Sequence, residues 1–122
     1  MLVLLLAQPA IVVRARAAQM SEAEKIDALL VDVETRSDLR FLRLGSVHSS
    51  HEAARMLRLK LRFAGSRIRT VDDFIQYIAT ATASGHPYFV LYPDGRRVAS
   101  AEFLRGELRR LTRESNTARQ EP

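Results

Sequence analysis

The chain contains no cysteine. That excludes disulfides, thiolate-ligated zinc, cysteine nucleophiles and lipid attachment through an N-terminal Cys. It does not assign a redox compartment, because a chain without thiols folds equally well in oxidising and reducing surroundings. Lysine is nearly absent as well: Lys25 and Lys60 are the only two, so the formal net charge of +5 rests almost entirely on arginine. Two readings of that excess stand side by side. Guanidinium forks bind phosphate and carboxylate in bidentate fashion, and an Arg-rich composition also follows from genome base content. No phosphate-binding glycine loop, nucleophile elbow or HExxH is present, and there is no internal repeat.

What is present fits one domain. The length is 122 residues, 47% of them hydrophobic and 27% charged, which is ordinary for a globular protein. A chain of this size buries ~65% of its unfolded surface, enough for one modest core. The N-terminal MLVLLLAQPAIVVRARAAQM carries no charge before Arg14 and then offers Ala15-Arg16-Ala17, a small-x-small pattern that a signal peptidase accepts. The apolar stretch falls short of the ~20 residues a membrane-spanning helix needs. Residues 1–17 are therefore expected to be a signal peptide, although no basic residue precedes the apolar run. A translation start upstream of Met1 would supply one. The alternative is a buried N-terminal strand or helix. Cleavage after Ala17 removes two arginines, so part of the positive charge belongs to the discarded segment.

Helix start signals punctuate the rest, each a hydroxyl at the cap with an acid three residues on. Ser21 with Glu24, Ser49 with Glu52 and Thr70 with Asp73 are capping boxes. The first opens a helix carrying Ile26, Leu29, Leu30 and Val33 and ending near Arg36. Phe41 to Leu44 reads as a short extended segment closed by Gly45. The second box opens a helix running to Ala64, with Gly65 placed for a left-handed C-terminal position. The third opens a helix with Val71, Phe74, Ile75 and Ile78 on one face, stopped by Gly85 and Pro87. Residues 88–92 and 96–99, joined by Pro93-Asp94-Gly95, read as a hairpin. Ser100 can cap a last helix bearing Leu104, Leu108 and Leu111. Residues 112–122 are polar and aperiodic and are expected to fray.

The central segment HSSHEAARMLRLKLRFAGSRIRT is rich in basic residues. On a helical wheel Arg55, Arg58 and Arg62 share one side, and Ala53, Met56, Leu57, Leu61, Phe63 and Ala64 the other. The arginine row is then the solvated face of an amphipathic helix. A DNA-reading helix-turn-helix places base contacts at the start of its second helix, and here that start is Val71-Asp72-Asp73, of the wrong sign for phosphate. Lys60 does not fit the pattern, because it projects into the apolar face. It must snorkel, pair with a carboxylate or shift its pKa, and Glu34, Asp38 and Asp72 are candidate partners.

Chemistry-bearing clusters are thin. His48 and His51 lie three apart with Glu52 adjacent, but nothing nearby completes a metal site, so no metal and no cofactor are expected. Adjacent Asp72 and Asp73 point in different directions on a helix and suit its positive N-terminal end. Tyr88 and Tyr92 share one strand face, where they either pack under the helices or form a binding ledge.

The order EKIDALL, FLRLG, HSSHEAA, LRLKL, AGSRIRT, DDFI, SGHPY, PDG and a final FLR resembles the YfeK-like family of small bacterial proteins of unknown function, usually made with a signal peptide. The resemblance covers about Ser21 to Leu111. It implies export and one compact domain, and it supplies no activity. The family tends to read Arg-Asn-Gly where this chain has Arg43-Leu44-Gly45, and to carry His where this chain has Met56. Polar site residues in relatives would then be missing here. Arg43, His48, Glu52, Arg58, Lys60 and Tyr88 are the candidate binding residues, and no catalytic residue is assigned.

The expectation is an α+β fold, mainly α: about four helices packed with a small antiparallel hairpin or three-stranded sheet, spanning residues 18–111. The expected role is that of an exported, periplasmic or secreted protein acting without catalysis through an envelope component or protein partner, with no nucleic acid and no membrane span after signal cleavage. The alternatives are a hydrolase-like enzyme using His48 with a nearby carboxylate, and a cytoplasmic nucleic-acid-associated protein.

Overall fold

The structure is a computed structural model and describes residues 20–120. The expected signal peptide lies outside the described residues. Helix α1 (Glu22–Thr35) leads into strand β1 (Arg40–Arg43), strand β2 (Ser46–His48) and helix α2 (Ser50–Ala64). A short 3₁₀ turn (Gly65–Arg67) precedes α3 (Val71–Asp73), which passes directly into a π-helical turn (Phe74–Ile78). Strands β3 (Phe89–Leu91) and β4 (Arg97–Ala99) form the second hairpin, and α4 (Ser100–Gln120) closes the chain. The fold is α+β and mainly α.

All three capping boxes form, with the hydroxyl accepting from the third backbone N–H and the acid accepting from the cap N–H. These bonds favour the charged carboxylates: Glu24, Glu52 and Asp73 are each held below the ordinary range, chiefly by the backbone N–H that they accept. Glu22 also reaches across the fold, where its Oε1 accepts from the Val71 N–H at 3.0 Å. The start of α1 is thereby tied to the start of α3, and the same bond lowers the Glu22 pKa. At the other end of α1, Asp32 meets Arg110 of α4 at 3.0 Å and Arg36 meets Glu107 at 3.4 Å. Burial and the neighbouring Glu107 push the Asp32 carboxyl up despite that arginine.

The sheet has four antiparallel strands in the order β2-β1-β3-β4. One more strand forms than expected. Phe41 pairs with His48 on one side and Val90 on the other, and Val90 pairs with Val98. Paired residues share a face, so this row points toward the helices, and Phe41, Val90 and Val98 pack on the core. Tyr88 and Tyr92 lie on the same side and also pack there. Beneath them sit Leu29, Leu39, Phe74, Ile75 and Leu104, each almost wholly buried.

Strand β2 escaped the sequence reading because of its turn. Arg43 pairs with Ser46, leaving Leu44 and Gly45 as a two-residue loop with φ of 50° and 78°. A two-residue hairpin of this kind demands positive φ at both positions, which is why Asn-Gly is its strongest signal. Leu44 gives no such signal and is strained, and it lies 55% exposed with nothing to gain from burial. The Asn that the family resemblance implies at this position is thus explained as a turn residue rather than a lost site residue.

Three other expectations are corrected. The third helix does not run on to Gly85 and Pro87. It ends at Ile78, where the Ala79 N–H reaches back five residues to the Phe74 carbonyl. The following chain folds on itself through an Ala81–Pro87 bridge, held by the Thr82 N–H on the His86 carbonyl. Phe63 is 79% exposed instead of joining the core face. Helix α4 does not stop near Leu111 but continues to Gln120.

Leu44→Asn is expected to raise the unfolding free energy by about 1 kcal/mol, since Leu in the left-handed region carries a penalty that Asn largely avoids. The readout is a higher denaturant midpoint at unchanged slope. A midpoint equal to or below the parent contradicts the assigned turn.

Candidate functional site

Where the first hairpin, the start of α2 and the start of β3 meet, the packing leaves a cavity of about 40 Å³. Phe41, Ala53, Met56, Leu57 and Tyr88 line it together with Arg43, His48, Lys60 and Ser100, and its exposed surface is almost wholly apolar. A water needs ~10–15 Å³ of such space and a benzene-sized guest ~150 Å³. The room therefore suits a short alkyl end with the remainder of a ligand at the mouth.

Four of the six residues chosen from sequence converge here: Arg43, His48, Lys60 and Tyr88. Register explains the pairing of strands with helix, since Phe41 and His48 are cross-strand partners facing α2. Glu52 sits at the edge, its Oε2 3.5 Å from His48 Nδ1, while its other oxygen accepts from the Ser49 N–H. Arg58 does not belong. It lies on the far side of α2 and meets Glu34 at 2.9 Å. His51 diverges from His48 in the same direction, with its Nδ1 3.7 Å from Glu34. Among the described residues no cluster of three or more His, Asp or Glu side chains is placed to hold a metal.

Lys60 corrects its own expectation. None of Glu34, Asp38 and Asp72 is its partner. Its Nζ donates to the Ile78 carbonyl at 2.7 Å, the Ala81 carbonyl at 3.1 Å and the Tyr88 hydroxyl at 2.9 Å. All three donors of an ammonium are used. Ile78 ends the third helix, where unpaired carbonyls and the negative end of the helix dipole favour a cation. The ammonium also lies 4.9 Å from the centre of the Tyr88 ring. Lys60 thus builds the cavity wall and leaves no donor for a ligand.

The groups free to act are different ones. Arg43 is half-buried, and its guanidinium makes no hydrogen bond or ion pair with a described residue. Ser100 is 7% exposed. Its N–H is taken by the Tyr88 carbonyl at 2.9 Å, but its hydroxyl bonds to no described residue and does not cap α4 as expected. Among the described residues no unpaired side-chain polar atom is sealed from solvent, so that hydroxyl keeps access to water. Sequence reasoning passed over Ser100 because a Ser at a strand-to-helix junction reads as a cap. It passed over Met56 as core, although Met56 lines this cavity where the resemblance implies His.

A model of a family of unknown function, DUF5329, matches residues 20–112. The chain belongs to that family. Over 68 residues it is 38% identical to the uncharacterized protein YfeK of Salmonella typhimurium, covering 55% of this chain and 57% of that relative. The match therefore spans little more than half of each protein. No solved structure matches.

Proposed function

We propose that this protein is an exported, periplasmic binding protein that acts without catalysis, through the cavity between the first hairpin and α2, on an envelope component or a protein partner. One observation carries the binding part: a concave, almost wholly apolar space bounded by residues of the first hairpin, α2 and β3. Ligand sites are concave and mostly apolar.

The non-catalytic part draws its support from how the reactive groups are engaged. His48 faces Glu52, and no hydrogen bond joins it to Ser100 or to another hydroxyl among the described residues. A nucleophile needs its base within hydrogen-bond reach. Lys60 has every donor committed to the wall. Export draws its support from the apolar segment before Arg14 and the Ala15-Arg16-Ala17 pattern. Among the described residues no helix is long and apolar enough to cross a membrane.

Two measurements test the two parts. The chain recovered from fractionated cells is expected outside the cytoplasm, starting near Ala18. A full-length cytoplasmic chain beginning at Met1 overturns export. Xenon, an apolar probe small enough for this space, is expected to produce saturable amide shifts in the ¹⁵N NMR spectrum centred on Phe41, Ala53, Leu57 and Ser100. Unchanged amides at those positions overturn the cavity as a binding site.

A further inference from the structure

We infer that the outer face of α2 docks on an anionic lipid surface, with Arg55 and Arg62 on headgroup phosphates and Leu59 and Phe63 pressed into the boundary between headgroups and acyl chains. This face points away from the cavity, and the inference does not depend on the cavity's having a ligand.

Two kinds of side chain share this face. Successive residues of a helix turn by about 100°, so Arg58, His51, Arg62, Arg55, Leu59 and Phe63 follow one another around one arc of α2. Arg55 and Arg62 are exposed, and Leu59 and Phe63 are exposed by 50% and 79%. A solvated helix face accounts for the arginines. It does not account for a Leu and a Phe beside them. Single exposed apolar residues are ordinary, but these two are neighbours at i and i+4 on the helix surface. An apolar pair left in water among basic groups is the composition of a helix that lies in a membrane interface.

The charge of the face is available to a partner. Arg55 and Arg62 make no hydrogen bond or ion pair with a described residue. The two acids nearby are already engaged: Glu34 meets Arg58 at 2.9 Å, and Glu52 accepts from the Ser49 N–H and faces His48. Between the long side chains lies an open hollow lined by Glu34, His51, Arg55, Arg58, Leu59 and Arg62, where a headgroup phosphate can meet a guanidinium in bidentate fashion.

Shape and layering select the partner. A helix face is convex, so a protein partner has to supply a matching groove, whereas a bilayer surface adapts to it. Duplex nucleic acid offers phosphate but no apolar layer for Leu59 and Phe63. An anionic bilayer presents phosphate and, just beneath it, hydrocarbon, the two chemistries that lie side by side on α2.

The chain contains no tryptophan, so Phe63→Trp makes position 63 a unique fluorescent reporter. The full chain carrying it is titrated with vesicles of phosphatidylcholine alone, and of phosphatidylcholine and phosphatidylglycerol in equal parts. The mixed vesicles are expected to shift the emission to the blue, and phosphatidylcholine alone to leave it unchanged. Adding Arg55→Gln and Arg62→Gln is expected to weaken the affinity for mixed vesicles about thirtyfold, since each basic residue at an anionic surface contributes about fivefold. All three positions are exposed, so these variants keep the parent fold. Equal shifts with both vesicle types, or an affinity unchanged by the two arginine substitutions, overturn the inference. A chain that floats with the mixed vesicles while its emission stays in place is held through another segment, which overturns it as well. A response to poly-glutamate without a response to vesicles overturns the lipid surface in favour of an acidic polypeptide.

Discussion

A single ammonium group ties α2 to the end of the third helix and to the start of the sheet's third strand. Lys60 extends from the middle of α2 and gathers the last carbonyl of the third helix, a carbonyl of the loop beyond it and the phenol at the start of β3. Lys60 is half-buried, and withdrawing a cation even partly from water without a carboxylate is costly unless its donors are matched. Here two carbonyl dipoles and a hydroxyl meet three donors, and one acceptor lies at a helix C-terminus, where positive charge is favoured. The arrangement accounts for several features at once. Committing the Ile78 carbonyl to Lys60 coincides with the widening of the last turn and its early end. Anchoring Tyr88 fixes the start of β3, on which β1 and then β2 pair. The cavity is the space left beside this tie, bounded by the same Lys60 and Tyr88.

Much of this fold was readable from local chemistry. The capping boxes at Ser21, Ser49 and Thr70 each mark a helix start, because a hydroxyl and an acid three residues apart have a mutual hydrogen bond to make whatever the tertiary structure. Pro93-Asp94-Gly95 marks the second hairpin for a similarly local reason. What stayed hidden depended on distant partners. Nothing in the segment from Phe74 to Gly85 announces a helix ending at Ile78, since the competing donor comes from Lys60, 18 residues earlier. The first hairpin was masked by Leu44, which occupies a left-handed position that sequence patterns assign to Asn or Gly. Phe63 sits on the boundary of the helical wheel, and no element among the described residues covers it.

The candidate site shows the same division. Arg43, His48, Lys60 and Tyr88 were singled out by residue type and motif, and all four border one cavity. Their roles, however, follow from hydrogen-bond partners that a sequence does not display. Lys60 is structural, and Arg43 is the group left with free donors. Arg58 shares a helix with Lys60 and belongs to a different surface, with Glu34. Ser100 and Met56 join the cavity from positions that read as a cap and as core. The two departures that the resemblance implies also separate: Leu44 is a matter of turn geometry, and Met56 places an apolar side chain on the cavity wall.

The most direct test of this account is a double-mutant cycle on unfolding free energy with Lys60→Met and Tyr88→Phe. If the ammonium ties α2 to the sheet through the phenol, the two losses are strongly non-additive, with a coupling energy of about 1 kcal/mol or more. Additive losses, with a coupling indistinguishable from zero, would contradict the claim that this contact joins the two layers.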